Sequence, residues 1–372
     1  MTRILVIGNG VTGEKKKGGF FIHNNTGNFL SELQKNKGFT VGFCQSVTAY
    51  NDNTDLLNFD LKENSIQFEP IRKMGKAKML FQLLRLFITR LKQYNFFYFF
   101  WPGTLSSIIA LIALLFNKPI GFYIRGQYYE RNILDRFVLK RAKFILTVSP
   151  LFLEPLSVFC KNVSIIKPMV SFTSTDIISN YRFTVPQKWR FLYVGRIEQR
   201  KGIQEILDAA HVLEKSKLNF QFDLIGGGDL FDTIELNEKY QKLSHRIRFH
   251  GQIDNYSDLD VFYKNADCFV LATHDEGFPR VLYEAMSNGL PIFTTMVGGI
   301  PGRMQDGTNC IAIPVRNGEK IGEIILNATK NTDLLAKISR NGIDTVTDVL
   351  DGKYLTHHEL IKLKIEALED DK

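Results

Sequence analysis

The stretch Asp267–Gly289, DCFVLATHDEGFPRVLYEAMSNG, restricts the fold more than any other. DCFVLAT is a short apolar run with β-branched and aromatic members, which predicts a buried strand. HDEGF predicts a turn. Pro279 suits the first position of a helix, and Gly289 followed by Pro291 suits its end. A strand, a loop and a helix in this order are one unit of an open α/β sheet, whose ligands bind outside the carboxyl ends of the strands. Glu276 falls in that loop. Glu284 lies about 7.5 Å along the helix from Pro279 at the usual rise. Both carboxylates can face the crevice, beside helix N-terminal amides that accept an anion. Alone, an E-x7-E pair reads as two solvated helix-end glutamates, since glutamate is common on helices.

The longer segment EGFPRVLYEAMSNGLPIFTT resembles the E-x7-E region of the retaining glycosyltransferases of the GT-B fold, glycosyltransferase family 4. The resemblance continues through VGGIPGRMQDGTNCIAIP, Val297 to Pro314. It implies that Glu276 lies against the hydroxyls of a donor sugar and that Glu284 holds the ribose of a nucleotide. It places the backbone of Gly277, Phe278, Pro279 and Arg280 near the sugar and diphosphate.

A chain of 372 residues predicts two or three domains, and 44% hydrophobic residues fit a globular protein with real cores. The net charge of +8 favours anionic partners: nucleic acid, an anionic membrane or phosphorylated substrates. The cations are not interleaved with exposed-looking aromatics in one patch, which argues against nucleic acid. Cys44, Cys160, Cys268 and Cys310 are scattered, with no C-x-x-C spacing, so neither a zinc site nor a disulfide framework is expected. A reduced, cytoplasmic setting is the expectation. MTRILVIGNG runs straight into a strand and glycine turn, with no signal-peptide pattern.

Phe96–Phe116 is long and uncharged enough to pass for a membrane span. Pro102-Gly103 interrupts it, so the expectation is a strand at 96–100, a turn, and a buried helix from 104 to 116 capped by Thr104.

Near the N-terminus a strand, Arg3–Ile7, meets Gly8-Asn9-Gly10-Val11-Thr12-Gly13, a literal G-x-G-x-x-G. A dinucleotide site needs a helix opening at once and an acid at the tip of strand two. Here the loop continues through Lys15, Lys16 and Lys17 to Gly18-Gly19, and the predicted second strand, FTVGFCQ, ends at Gln45 without an acid. The helix is expected after the glycine pair, through FFIHNNTGNFLSELQ. The family resemblance assigns Gly18 and Gly19 to the donor phosphates or the acceptor.

Ile71–Tyr94 has apolar residues at helical spacing, many cations and no acid. Such a helix either docks on an anionic membrane or packs its apolar face on a sheet and leaves its charges in water. Ile120–Asn132 reads as a strand ending at Arg125-Gly126, where the resembled family commonly carries a histidine-containing H-G or H-D pair close to the donor sugar. A guanidinium there can fork onto a carboxylate or phosphate, or pair with a neighbour such as Glu130. Phe144–Leu156 and Asn162–Pro168 complete a first α/β series, and 169–189, rich in Ser and Thr, reads as a linker.

The second series opens with FLYVGRIEQRKGIQEILDAAHVL: strand, turn, amphipathic helix. Gly195 permits a sharp turn, and Arg196 and Lys201 bring two cations to a helix N-terminus, which suits a diphosphate. The pattern resembles the diphosphate-binding segment of the same family. FQFDLIGGGDL ends in three glycines, Gly227 central, as in the family's nucleotide-side loop. His250 shows no partner in the sequence and reads as structural. Asp258-Leu259-Asp260 mimics a metal motif but falls on a predicted surface helix. Lys353–Leu368 is a last amphipathic helix, which the resemblance returns to the first half.

The expected fold is thus α/β, two Rossmann-like domains facing across a cleft: 1–168, a linker at 169–189, 190–345, and a returning segment at 346–372. The resemblance implies retaining transfer of a sugar from a UDP- or GDP-sugar to an acceptor hydroxyl in polysaccharide or glycolipid assembly. No metal or cofactor is implied, and the setting is the cytoplasm or the inner membrane face. Glu276, Arg196 and Lys201 are the catalytic candidates. The alternatives are a nucleotide-sugar epimerase of the same fold, or a non-catalytic basic module for membrane or nucleic acid.

Overall fold

The computed structural model describes residues 2–10, 12–15, 19–49, 57–72, 76–126, 132–179, 183–230, 238–352 and 354–370. The chain forms two compact units. Met1–Val148, Phe152–Ile166 and Leu355–Lys372 make the first; Ser149–Leu151 and Lys167–Tyr354 make the second.

The first unit runs β1 (Thr2–Ile7), β2 (Thr12–Lys15), β3 (Gly19–Ile22), α1 (Asn24–Gln34), β4 (Phe39–Ala49), β5 (Phe59–Asp60), β6 (Gln67–Arg72), α2 (Lys76–Thr89), β7 (Phe96–Trp101), α3 (Thr104–Leu115), β8 (Ile120–Ile124), α4 (Ile133–Leu139), β9 (Phe144–Thr147), α5 (Leu153–Ser157) and β10 (Val163–Ile165). The sheet order is β10-β9-β8-β7-β1-β4-β2-β3-β5, with β6 beside β4. A parallel strand covered on both faces reads as one continuous apolar run, and β7, FFYFFW, is buried at every position. Phe97, Phe99 and Trp101 join Leu83 and Phe87 of α2, Ile109 of α3 and Val138 of α4 in one core. On the other face, Tyr98 and Phe100 lie against Phe29 of α1 and His357 of the terminal helix.

Several local expectations shift. Gly19–Ile22 is a strand, antiparallel to β2, where a helix was expected. β3 pairs outward to β5, and Lys15 Nζ sits 3.7 Å from the Phe21 ring centroid. The helix begins only at Asn24, where His23 Nδ1 accepts from the Asn25 amide at 3.2 Å. Gly18, Lys16, Lys17 and Glu130 lie outside the described residues. Ile71 and Arg72 end β6 rather than begin a helix, and β4 continues past Gln45 to Ala49. Gly103, not Thr104, caps α3. Among the described residues no helix is long and apolar enough to cross a membrane.

The second unit runs β11 (Trp189–Val194), α6 (Ile203–Lys215), β12 (Phe220–Ile225), α7 (Glu238–Leu243), β13 (Ile247–Phe249), α8 (Tyr256–Asn265), β14 (Cys268–Leu271), α9 (Arg280–Ser287), β15 (Ile292–Thr295), β16 (Ile311–Ile313), α10 (Gly318–Ala328) and α11 (Thr332–Leu350). Its sheet is wholly parallel, in the order β13-β12-β11-β14-β15-β16. Phe172, from the segment read as linker, is buried in this unit's core, as are Val346, Val349 and Leu350 of α11. The first unit therefore resumes at Leu355 rather than at 346.

Helix α12 (His357–Asp370) returns to the first unit. It is anchored by His357, only 2% exposed, whose Nε2 shares a 2.7 Å hydrogen bond with the Tyr98 hydroxyl. The imidazole stacks on Phe29 at 4.4 Å. Burial, with His358 and Arg125 nearby, pushes its pKa down to about 3. A folded pKa below the unfolded value near 6.5 means that the unfolded chain holds the extra proton between about pH 6.5 and 3, so stability rises with pH across that window. We expect the wild type to lose about 1.4 kcal/mol per pH unit below 6.5 from this residue. Denaturant unfolding at pH 6.5 and 5 should show that extra slope vanish in His357→Gln; equal slopes would contradict it.

Candidate functional site

In the second sheet the strand order reverses between β11 and β14, the point at which open α/β sheets leave a crevice for ligands. The loops after β11, β12, β14 and β15 gather there. The first two are zipped together: the Ile197 amide donates to Gly227 O at 2.9 Å, and the Leu230 amide donates to Ile197 O at 3.0 Å. The Tyr193 hydroxyl donates to Arg196 O at 2.7 Å, fixing the turn from beneath.

Gly195 was expected to supply the sharp turn, yet the positive φ belongs to Gly202, at 76°. A Cβ on Gly202 would stand 2.1 Å from Ala272 O, so only glycine lets the start of α6 press against the end of β14. That contact carries Lys201 to Glu276. Lys201 Nζ and Glu276 Oε1 form an ion pair, with side chains 12% and 20% exposed. Gly298, at φ 56°, passes so close that a Cβ would lie 1.8 Å from Glu276 O, and the Gly299 amide donates to the same carbonyl at 3.2 Å. The backbone of Glu276 is thus held by the β15 loop and its carboxylate by the β11 loop.

Arg196 is half-exposed, and its Nη1 lies 2.7 Å from Glu198 Oε1; Arg200 Nε donates to Glu198 Oε2 at 2.9 Å. Arg196, Arg200, His274 and Arg316, with Glu198, Gln199 and Asp229, line an open cavity of about 560 Å³ rich in cations. His274 Nε2 is 2.9 Å from Glu205 Oε1. Glu284, on α9, is 8% exposed, and its Oε2 accepts from the Tyr263 hydroxyl at 2.8 Å. Burial pushes its carboxyl up, against the opposing effects of the Tyr263 bond and Arg280. Pro279 is the N-cap of α9 rather than its first residue, the Phe278 ring is 4.7 Å from that of Tyr283, and Arg280 Nη1 donates to Met169 O at 3.2 Å.

The structure therefore joins Lys201 to Glu276 and Gly195 to the Gly226–Gly227 turn, and leaves Arg196 turned to Glu198. Gly277 is half-buried in the same loop. In the first unit, Gly19 pairs with Lys15 in the hairpin, and Arg125 is exposed just past β8, 6.0 Å from the Phe100 ring. His250, expected to lack a partner, has Asp223 Oδ1 at 2.7 Å. Asp260 is taken by Lys264 at 2.5 Å on α8. Among the described residues no three His, Cys, Asp or Glu side chains are grouped to hold a metal ion. Glu198, Tyr263, His274 and Gly298 are the site residues that sequence reading missed. Glu198 alone had a signal, lying between the two cations it orients.

Residues 177–345 match the model of the family described as glycosyl transferases group 1. The chain is 27% identical over 59% of its length to the uncharacterized glycosyltransferase MJ1178 of Methanocaldococcus jannaschii, covering 57% of that protein. It is 29% identical over 76% of its length to the capsular polysaccharide biosynthesis glycosyltransferase CapM of Staphylococcus aureus, covering 77% of CapM. The chain spans about half the length of several curated relatives that it matches. Anabaena Alr3699/HepE, solved in complex with UDP, has the same fold: TM-score 0.67 at 15% identity over all of both chains. Residues 177–345 thus match the glycosyl transferases group 1 model, and the whole chain has the GT-B fold of its structural neighbours.

Proposed function

We propose that the chain is a retaining hexosyltransferase of glycosyltransferase family 4. It moves a sugar from a UDP- or GDP-sugar to an acceptor hydroxyl in polysaccharide or glycolipid assembly, in the cytoplasm, without metal or cofactor. The observation that carries this reading is the Lys201–Glu276 pair at the strand-order reversal, beside the N-terminus of α6. A donor replaces the pair: its diphosphate takes the ammonium, and its sugar hydroxyls take the carboxylate. As the anomeric C–O bond breaks, charge gathers on the departing diphosphate. Lys201, Arg196 and the α6 amides offset that charge in the transition state. The acceptor oxygen bonds to the anomeric carbon on the face the diphosphate leaves, and its proton passes to the departing phosphate. Glu284 holds the ribose. Gly18, Gly19 and Arg125 are assigned to substrate on the first unit. The UDP bound to HepE and the capsular role in CapM's name support the donor and acceptor classes.

The test is incubation with UDP- and GDP-sugars and an acceptor, with the product's anomeric proton followed by NMR. Retained configuration is expected; inversion, or an altered sugar formed without acceptor, would contradict the reading. The buried Glu284 supplies a second check. A carboxyl whose folded pKa is raised costs stability increasingly as pH rises above the unfolded value near 4.5. Glu284→Gln keeps the Tyr263 acceptor. We expect a higher Tm than wild type without ligand at pH 7, a gap that closes towards pH 4, and weaker UDP binding by calorimetry.

A further inference from the structure

Strand β12, FQFDLI, alternates along its length. Phe220, Phe222 and Leu224 are buried in the core, and Gln221 and Asp223 project from the other face of the sheet. The register sets Arg190 of β11 beside Gln221, and Arg248 of β13 beside Asp223, on that same face. Val261, Phe262 and Asn265 of α8 form the opposite wall, and the whole encloses a cavity of about 330 Å³. It shares no lining residue with the cation-rich cavity at Arg196, and neither Lys201 nor Glu276 reaches it.

The acid in this cavity is already satisfied by the protein. Gln221, 8% exposed, donates from Nε2 to Asp223 Oδ1 and Oδ2 at 3.0 and 3.2 Å, and itself accepts from Lys188 Nζ at 2.8 Å. His250 Nε2 lies 2.7 Å from Asp223 Oδ1, and its ring meets the Phe262 ring edge-on at 4.6 Å. The two arginines are not satisfied. Both are exposed, and among the described residues neither guanidinium makes an ion pair or a hydrogen bond. Asp267, the acid beside Arg190, accepts from the Arg190 backbone amide at 2.7 Å.

We propose that this cavity between α8 and the β11–β12–β13 face binds a small hydroxylated metabolite through its phosphate group. Two guanidinium forks match phosphate oxygens, and Lys188 and His250 stand on the same side with further basic groups. Asp223 Oδ2 keeps a lone pair for a ligand hydroxyl. Leu192, Val261 and Phe262 supply an apolar wall, and the volume is that of a small-molecule site rather than of a track for a nucleic-acid backbone. The inference does not rest on the transferase reading: it concerns another face of the second unit and is tested without donor or acceptor.

The experiment is hydrogen–deuterium exchange of the full chain with inorganic phosphate, with ribose 5-phosphate, and with chloride at matched ionic strength, the affinities being measured by calorimetry. Both phosphates are expected to slow exchange in α8 and over 247–250, ribose 5-phosphate binding more tightly because its hydroxyls reach Asp223. Chloride should have no effect. The double variant Arg190→Gln with Arg248→Gln should weaken binding at this site at least about tenfold, two charge-assisted contacts being lost. Val261→Trp, which fills the cavity from a position 54% exposed, should abolish it. Thermal unfolding without phosphate should be unchanged in both variants. Protection confined to the loops at 195–202, an equal effect of chloride, or protection that both variants retain would overturn the proposal. Equal affinity for the two phosphates would overturn the assignment to a hydroxylated metabolite.

Discussion

Lys201→Ala is expected to lower turnover by about 10²–10³-fold, the usual effect of removing one preorganised charge partner from a transition state. Its cost to stability should be far smaller, about 1–2 kcal/mol, because Glu276 remains partly open to water and keeps its backbone contacts. The variant also leaves Glu276 as an uncompensated negative charge where a diphosphate must settle. Both kcat and kcat/KM should therefore fall. Initial rates and thermal unfolding measured side by side check this, and unchanged rates would remove Lys201 from the mechanism.

Gly298→Ala is expected to be the most disruptive small substitution near the site. The new Cβ would stand 1.8 Å from Glu276 O, a backbone atom that cannot rotate aside, at a φ of 56° that L side chains rarely adopt. Strain and overlap together should cost at least about 2 kcal/mol. The relief must come from moving Glu276, so activity should fall beyond what the lost stability explains. Gly307→Ala is the matched control: its φ is 67°, but nothing lies within 4 Å of the added Cβ. It should cost about 1 kcal/mol and keep activity. Similar losses in the two variants would mean that the approach of Gly298 to Glu276 does not position the carboxylate.

The strand, loop and helix around Glu276 were legible because an apolar run, a glycine turn and a proline are local signals. The same holds for β7 and α3, where Pro102-Gly103 separates two apolar stretches. The β2–β3 hairpin was not legible. A literal G-x-G-x-x-G and a glycine pair point to a helix start, whereas the antiparallel pairing of Gly13 with Phe21 also depends on β4 lying alongside β2. The site divided in the same way. Lys201 and Glu276 could each be assigned to a loop at a strand's carboxyl end, but they stand 75 residues apart. Only the adjacency of β11 and β14 brings them together. The partners Tyr263 for Glu284, Glu205 for His274 and Asp223 for His250 follow from packing of the same long-range kind. Gly202 rather than Gly195 takes the positive φ because the constraint comes from Ala272, just past β14.

Thermal unfolding with saturating UDP, GDP and NAD in parallel, in the wild type and in Arg196→Ala, bears most directly on the site at β11 and β14. A ligand at about 100 times its dissociation constant adds about 2.7 kcal/mol to the native state. A clear upward shift with UDP or GDP, lost in Arg196→Ala, is the predicted result. A shift with NAD alone would contradict it and transfer the function to the glycine loop at Gly8; so would a nucleotide shift that Arg196→Ala leaves intact.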